Sequence, residues 1–255
     1  MSGSGIKGWI AILTLAGLLA SGCKRSGSPV QPSGSAVPTP NAKIDPSTAG
    51  TVEGTIRYPA SAPPGVAIDM SQDPGCGKSP NTSEQYLVNN GNLANAFVYV
   101  KDGLGKRIYA VPATPVVLDQ KGCRYVPHVI GLMAGQTVEF RTSDPTMHDI
   151  NVQPLSSGNP SFDLSQGPNG APEHRIFPQP ETMIPVRCNT HPWMQAFINV
   201  TANPFFAISD SNGHYVIHGL PPGTYTLAAV HEKLGEKRQS ITVSAHQVTG
   251  ADFTF

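Results

Sequence analysis

From Ala49 to Phe255 no stretch repeats its apolar residues at the helical spacing of an amphipathic α-helix. The apolar residues come instead in short alternating or β-branched runs, each closed by Gly, Pro, Asn or Asp. With 26 Gly and 25 Pro among 255 residues, turns recur too often for long helices. The runs predict strands over Thr51–Tyr58, Ala96–Lys101, Pro115–Leu118, Tyr125–Ile130, Thr137–Arg141, Ile150–Val152, Met183–Cys188 and Gln195–Thr201. Further strands are expected at Phe205–Ile208, Tyr215–Ile217, Thr224–Val230, Ser240–Val243 and Ala251–Phe255. The fold class is therefore all-β, a sandwich architecture. Gln153 to Pro180, rich in Gly and Pro, is expected to be a functional or partly disordered loop.

The first 48 residues are of another kind. Lys7 precedes a largely apolar run from Trp9 to Ala20, of about a dozen residues, shorter than the roughly 20 that span a bilayer. Ala20-Ser21-Gly22 then precede Cys23 as small residues precede a cleavage site, so 1–22 reads as an export signal. A Cys at that point resembles the lipobox of bacterial lipoproteins, in which it is acylated and becomes the mature N-terminus. Cys23 is accordingly the expected lipid anchor. Lys24 after it favours the outer membrane, by resemblance to the enterobacterial sorting rule. Residues 23–48, mostly Ser, Gly, Pro, Ala and Thr, read as a flexible tether. Charge is sparse and balanced, with 17 Lys and Arg against 17 Asp and Glu, which leaves no basic patch for nucleic acid.

Chemistry concentrates in Cys188-Asn-Thr-His191-Pro-Trp-Met194. A thiolate, an imidazole and a thioether three residues apart form a ligand set for a soft, redox-active metal. Two His, one Cys and a weak axial Met are the set of a blue-copper electron-transfer centre. His148, after the alternating run Thr137–Arg141, is the expected fourth ligand. Each residue type alone is ordinary in a β protein; the spacing, the upstream His and the export signal together point to copper. Pro192 stiffens the loop by fixing one φ angle and removing a donor. Cys76 and Cys123 remain, and in an oxidising compartment two spare thiols pair, unless one of them is a second metal ligand. His128 is expected to be a sheet-face residue satisfied by a neighbour, and His174, His214, His218, His231 and His246 to be solvated or structural.

Thr137-Val-Glu-Phe-Arg, the His148-Asp-Ile step and Val186-Arg-Cys188 to Met194 resemble a small blue-copper protein of the cupredoxin family. The seven-residue loop is most similar in spacing to that of amicyanin. The resemblance covers roughly 115–202 and implies a Greek-key β-sandwich with one type 1 copper ion held by His148, Cys188, His191 and Met194. It also implies that the His191 ring edge lies near the surface, with Pro192 and Trp193 as an apolar rim. Asp149 departs from the Asn usual after the first His, where that side chain ties the ligand loops. A carboxylate there is expected to weaken the tie or lower the potential.

Asp210 to Gly213 and Pro221-Pro222-Gly223 are two turn signals, expected to close hairpins flanked by Tyr215 and Tyr225. With Gly219-Leu-Pro-Pro-Gly-Thr-Tyr225 they resemble a carboxypeptidase regulatory-like, or transthyretin-like, β-sandwich. Ala49-Gly-Thr-Val-Glu-Gly-Thr-Ile-Arg-Tyr58 resembles its first strand. The expected organisation is a signal (1–22), a lipidated Cys and linker (23–48) and a β region opening the regulatory-like module (49–114). A cupredoxin domain (115–202) and the module's closing hairpins (203–255) follow. The expected role is a periplasmic or outer-membrane electron carrier, anchored through its lipid and serving a cytochrome or a periplasmic dehydrogenase. The alternative is a surface copper-binding or adhesion lipoprotein without electron transfer. An enzyme is not expected. Copper enzymes that wire a blue site to a second copper place His beside the Cys, and here Arg187 and Asn189 flank Cys188. A dinuclear purple site needs a Cys where Ile184 stands.

Overall fold

The computed structural model describes residues 39–77 and 80–255. The expected signal, Cys23 and the tether up to residue 38 lie outside the described residues. No described residue is helical. In chain order the strands begin with β1 (Gly50–Arg57), β2 (Val88–Asn89), β3 (Asn92–Leu93), β4 (Phe97–Asp102), β5 (Val116–Gln120) and β6 (Tyr125–Val126). Then come β7 (Val129–Met133), β8 (Thr137–Thr142), β9 (His148–Val152), β10 (Phe162–Gln166), β11 (Glu173–Ile176), β12 (Glu181–Arg187) and β13 (Gln195–Thr201). The last are β14 (Phe206–Ile208), β15 (His214–Leu220), β16 (Gly223–His231), β17 (Gly235–Val243), β18 (Val248–Gly250) and β19 (Phe253–Thr254).

Four sheets stack as two sandwiches. One pairs a sheet ordered β10-β9-β12-β13-β7 with a sheet ordered β11-β8-β5-β6. Between them lies a core that includes Leu118, Phe140, Ile150, Phe177, Ile184 and Ile198. The other sandwich sets β15-β1-β3-β2, with β18 and β19 also on β1, against β14-β4-β16-β17. Its core includes Val52, Ile56, Phe205, Leu227 and Ala229. Burial of each large apolar side chain contributes about 1.5–3 kcal/mol. The strands before residue 115 and after residue 203 thus share two sheets, and those from 116 to 201 make the other two.

The sandwiches meet through Phe97, Val129 and Val230, with Phe197, Phe206 and Met183 packed against them. Gly131 on β7 allows this approach. A Cβ there would stand 2.6 Å from Phe97 Cε2 and 2.8 Å from Phe206 Cε2.

Several expectations are corrected. Tyr125–Ile130 is two strands in two sheets, because Pro127 offers no N–H to continue a ladder. The 153–180 segment is not a structureless loop: β10 pairs with β9 and β11 with β8. The turns at Asp210–Gly213 and Pro221-Pro222 do not close hairpins. Their flanking strands β14, β15 and β16 alternate between the two facing sheets, so each turn is a crossover. A hairpin not expected, β2–β3, turns at Asn90-Gly91, both at positive φ (51° and 75°), as such two-residue turns require. Residues 39–48 are not all free tether, since Asn41 donates its backbone N–H to Ile108 O and its side chain bonds Lys106 and Ile108.

Candidate metal centre

Strand pairing brings the centre together. β12 and β13 are antiparallel, with Arg187 opposite Gln195, so residues 188–194 are the loop that joins them. β9 pairs with β12 through Val186–Val152 and Arg187–Asn151, which sets His148 at the mouth of that loop. The loop closes on itself: Met194 N–H donates to His191 O (2.8 Å) and Cys188 N–H to Met194 O (3.3 Å). Asn189 fastens it to β10 by donating to both Asp163 oxygens (3.0 and 2.8 Å).

One donor atom each from His148, Cys188 and His191 lies within 4.8 Å of the others. All three are buried, at 0%, 3% and 2% exposure, and Met194, at 1%, is buried in the same core as Cys188. The two imidazoles face each other, Nδ1 to Nδ1, at 2.9 Å. His191 Nδ1 is 3.7 Å from Cys188 Sγ.

The outer nitrogens each face a carboxylate. His148 Nε2 lies 2.9 Å from Asp144 Oδ2, and His191 Nε2 lies 3.0 Å from Asp73 Oδ2. An acceptor-only carboxylate facing each Nε2 requires the proton there, so a neutral ring carries its lone pair on Nδ1. Asp144 also accepts from the N–H groups of Gly122 (2.7 Å) and Cys123 (2.8 Å). The Thr146 hydroxyl at Asp73, more than any other group, holds that carboxyl below its usual range. Burial pushes the His148 pKa down, against the pull of Asp144.

Cys188 Sγ accepts backbone N–H groups from Asp149 (3.2 Å) and His191 (3.4 Å). Burial raises the thiol pKa, and these donors oppose the rise. A bound cation supplies the positive charge that a buried thiolate needs. Two imidazole nitrogens and one sulfur converging in a buried site fit a borderline-soft ion such as copper.

Two expectations about this centre are corrected. The Asp149 carboxylate does not loosen the ligand loop: Oδ2 accepts from Thr190 N–H (3.0 Å) and Thr190 Oγ1 (2.8 Å), and Oδ1 from Ser165 Oγ (2.6 Å). Burial pushes this carboxyl upward, yet the hydroxyls of Ser165 and Thr190 outweigh it and the pKa is lowered. The His191 ring edge is not near the surface. Asp73 and Cys76 cover it, and Cys76 is joined by a disulfide to Cys123, 47 residues on. Asp144, four residues before His148, was open to recognition from the sequence. Asp73, 118 positions before His191, carried no local signal.

The other histidines serve structure or solvent. His128 is buried, with Nδ1 3.1 Å from Gln195 O and Nε2 2.6 Å from Glu232 Oε1, so it links the two sandwiches. His174, His214, His218 and His246 are exposed, and His231 is buried at 2%.

Residues 190–255 match the family model of the carboxypeptidase regulatory-like domain. The match starts inside the 188–194 loop and takes in β13, a strand of the other sandwich. Among curated proteins no relative matches. Solved structures similar to part of the chain include a copper-containing nitrite reductase (NirK) from Thermus scotoductus SA-01. It is 25% identical over 39% of this chain and 25% of that one, with a TM-score of 0.32. The chain therefore spans a quarter of that enzyme. Amicyanin from Paracoccus versutus is 19% identical over 41% of this chain and 97% of its own (TM-score 0.31). A purple cupredoxin from Nitrosopumilus maritimus is 16% identical over 34% and 99% (TM-score 0.28).

Proposed function

We propose that this chain is an extracytoplasmic, lipid-anchored copper protein that carries single electrons. His148, Cys188, His191 and Met194 would hold one type 1 ion, and a cytochrome or a periplasmic dehydrogenase would be its partner. The reading is carried by one observation: with both Nε2 atoms committed to Asp144 and Asp73, two Nδ1 lone pairs oppose each other at 2.9 Å beside the Cys188 sulfur. Lone pairs that close repel unless a proton or a cation lies between them. When bound, copper supplies a one-electron couple. The chain's own part is to hold the donors still: β9, β12 and β13 fix the backbone, and Asp149 with Thr190 and Ser165 locks the loop. The anchor at Cys23 rests on the signal-like run before it. No catalytic role is proposed.

A second reading, copper binding or adhesion without electron transfer, is favoured by the covered His191 edge. Copper loading distinguishes the two. An intense band at about 600 nm, lost in Cys188→Ser, with reversible one-electron reduction is expected for the carrier. Bound copper without that band or without reversible reduction gives the second reading. A variant Cys188→Ser that keeps the colour refutes the thiolate assignment.

A further inference from the structure

We infer that Asp73 is a positioning residue of the metal centre, so that the centre is completed by a segment between β1 and β2, far from the ligand loop in sequence. The inference rests on the copper reading above and concerns what aims the ligands. Asp73 Oδ2 accepts from His191 Nε2 at 3.0 Å and from Thr146 Oγ1 at 2.8 Å, and Oδ1 accepts from Gly75 N–H at 2.6 Å. One carboxylate therefore ties the loop bearing His191 to the segment leading into His148. It fixes the His191 ring about its own axis, with Nδ1 turned toward Cys188 and His148. A carboxylate on the far nitrogen of a ligand imidazole sets its tautomer and raises its basicity.

The segment is built to deliver that carboxylate. Asp73 O accepts from Cys76 N–H (2.9 Å) and Gly77 N–H (3.1 Å), a tight turn that puts Cys76 beside the aspartate. The disulfide to Cys123 then pins the turn, and Trp193 Nε1 donates to Cys123 O (3.1 Å), joining the same point to the ligand loop. Gly75 lets the turn lie flat on Thr146. A Cβ there would come 2.9 Å from both Asp73 Oδ1 and Thr146 Cβ. Met70 and Cys76 are buried in the core that holds Cys188 and Met194, so the cover is part of that body.

The test is copper binding by the whole chain, read by competition with a chelator and by the visible and EPR spectra. Asp73→Ala is expected to weaken copper about 10–100-fold, with altered EPR hyperfine splitting and an unchanged metal-free melting temperature. Asp73→Asn, whose oxygen can still accept from Nε2–H while its NH2 faces Gly75 N–H, is expected to keep more affinity than Asp73→Ala. Thr146→Val, which leaves the carboxylate but removes one of its anchors, is expected to fall between them. Asp73→Ala with wild-type affinity and spectrum overturns the inference while leaving the copper reading standing. So does an affinity loss that follows the metal-free melting temperature in all three variants. A wild-type chain that takes up no copper overturns both.

Discussion

His231 offers a quantitative check on the sandwich built around β1 and β16 that does not involve metal. Its ring ends β16, 2% exposed, between Tyr86 and Phe255. Nδ1 accepts from Lys233 N–H (3.3 Å) and Nε2 meets no hydrogen-bond partner among the described residues. Burial lowers the pKa from 6.5 to about 4, against the pull of Glu232. The folded chain therefore keeps this ring neutral where the unfolded chain would protonate it. The stabilisation is fully present above pH 6.5 and is lost as pH falls from there toward about 4. At about 1.4 kcal/mol per pH unit across that window, the loss approaches about 3 kcal/mol. His231→Phe removes the titration and keeps an aromatic ring in the pocket. Urea melts of both chains, in steps from about pH 7 to about pH 4, should show wild type losing about 3 kcal/mol more than the variant. Carboxylates and the other histidines, common to both chains, cancel in the difference. A stability difference that stays constant across the window would falsify the neutral-ring account.

Two further outcomes follow from the packing. Replacing Cys76 and Cys123 together by Ser releases a bridge across 47 residues and should cost up to about 4 kcal/mol in guanidinium melts. A loss under about 1 kcal/mol would mean that core packing of Met70 and its neighbours already closes this loop. Gly131→Ala pushes a methyl into Phe97 and Phe206 and should destabilise by about 1–3 kcal/mol in a thermal melt. An unchanged melting temperature would mean that the two rings can part without loss.

What could be read from the chain was whatever is local. Gln195–Thr201 and Thr224–Val230 show their strand character within themselves, and Cys188, His191 and Met194 sit within one turn of loop. Phe162–Gln166 escaped because Gly and Pro crowd the segments around it, although its own alternation is visible. Tyr125–Ile130 looked continuous because apolar content does not register a missing N–H at Pro127. The alternation of β14, β15 and β16 between sheets could not be read either, since a turn sequence does not say which sheet its second strand will join. The cover over His191 was invisible for a plainer reason: Asp73 reaches it only after β5 to β13 have been placed, and no spacing records that.

The interleaving of the early and late strands also governs how such a chain can be made. β1 finds its neighbours β15, β18 and β19 only after more than 150 further residues have been made. A chain threaded outward from its amino end must hold β1 and β4 open while the whole intervening sandwich assembles. Slow, long-range closure of this sort leaves strand edges bare for longer. Losing even β18 and β19 would strip one flank of β1, so a nick just before β18 should unsettle a strand synthesised long before it.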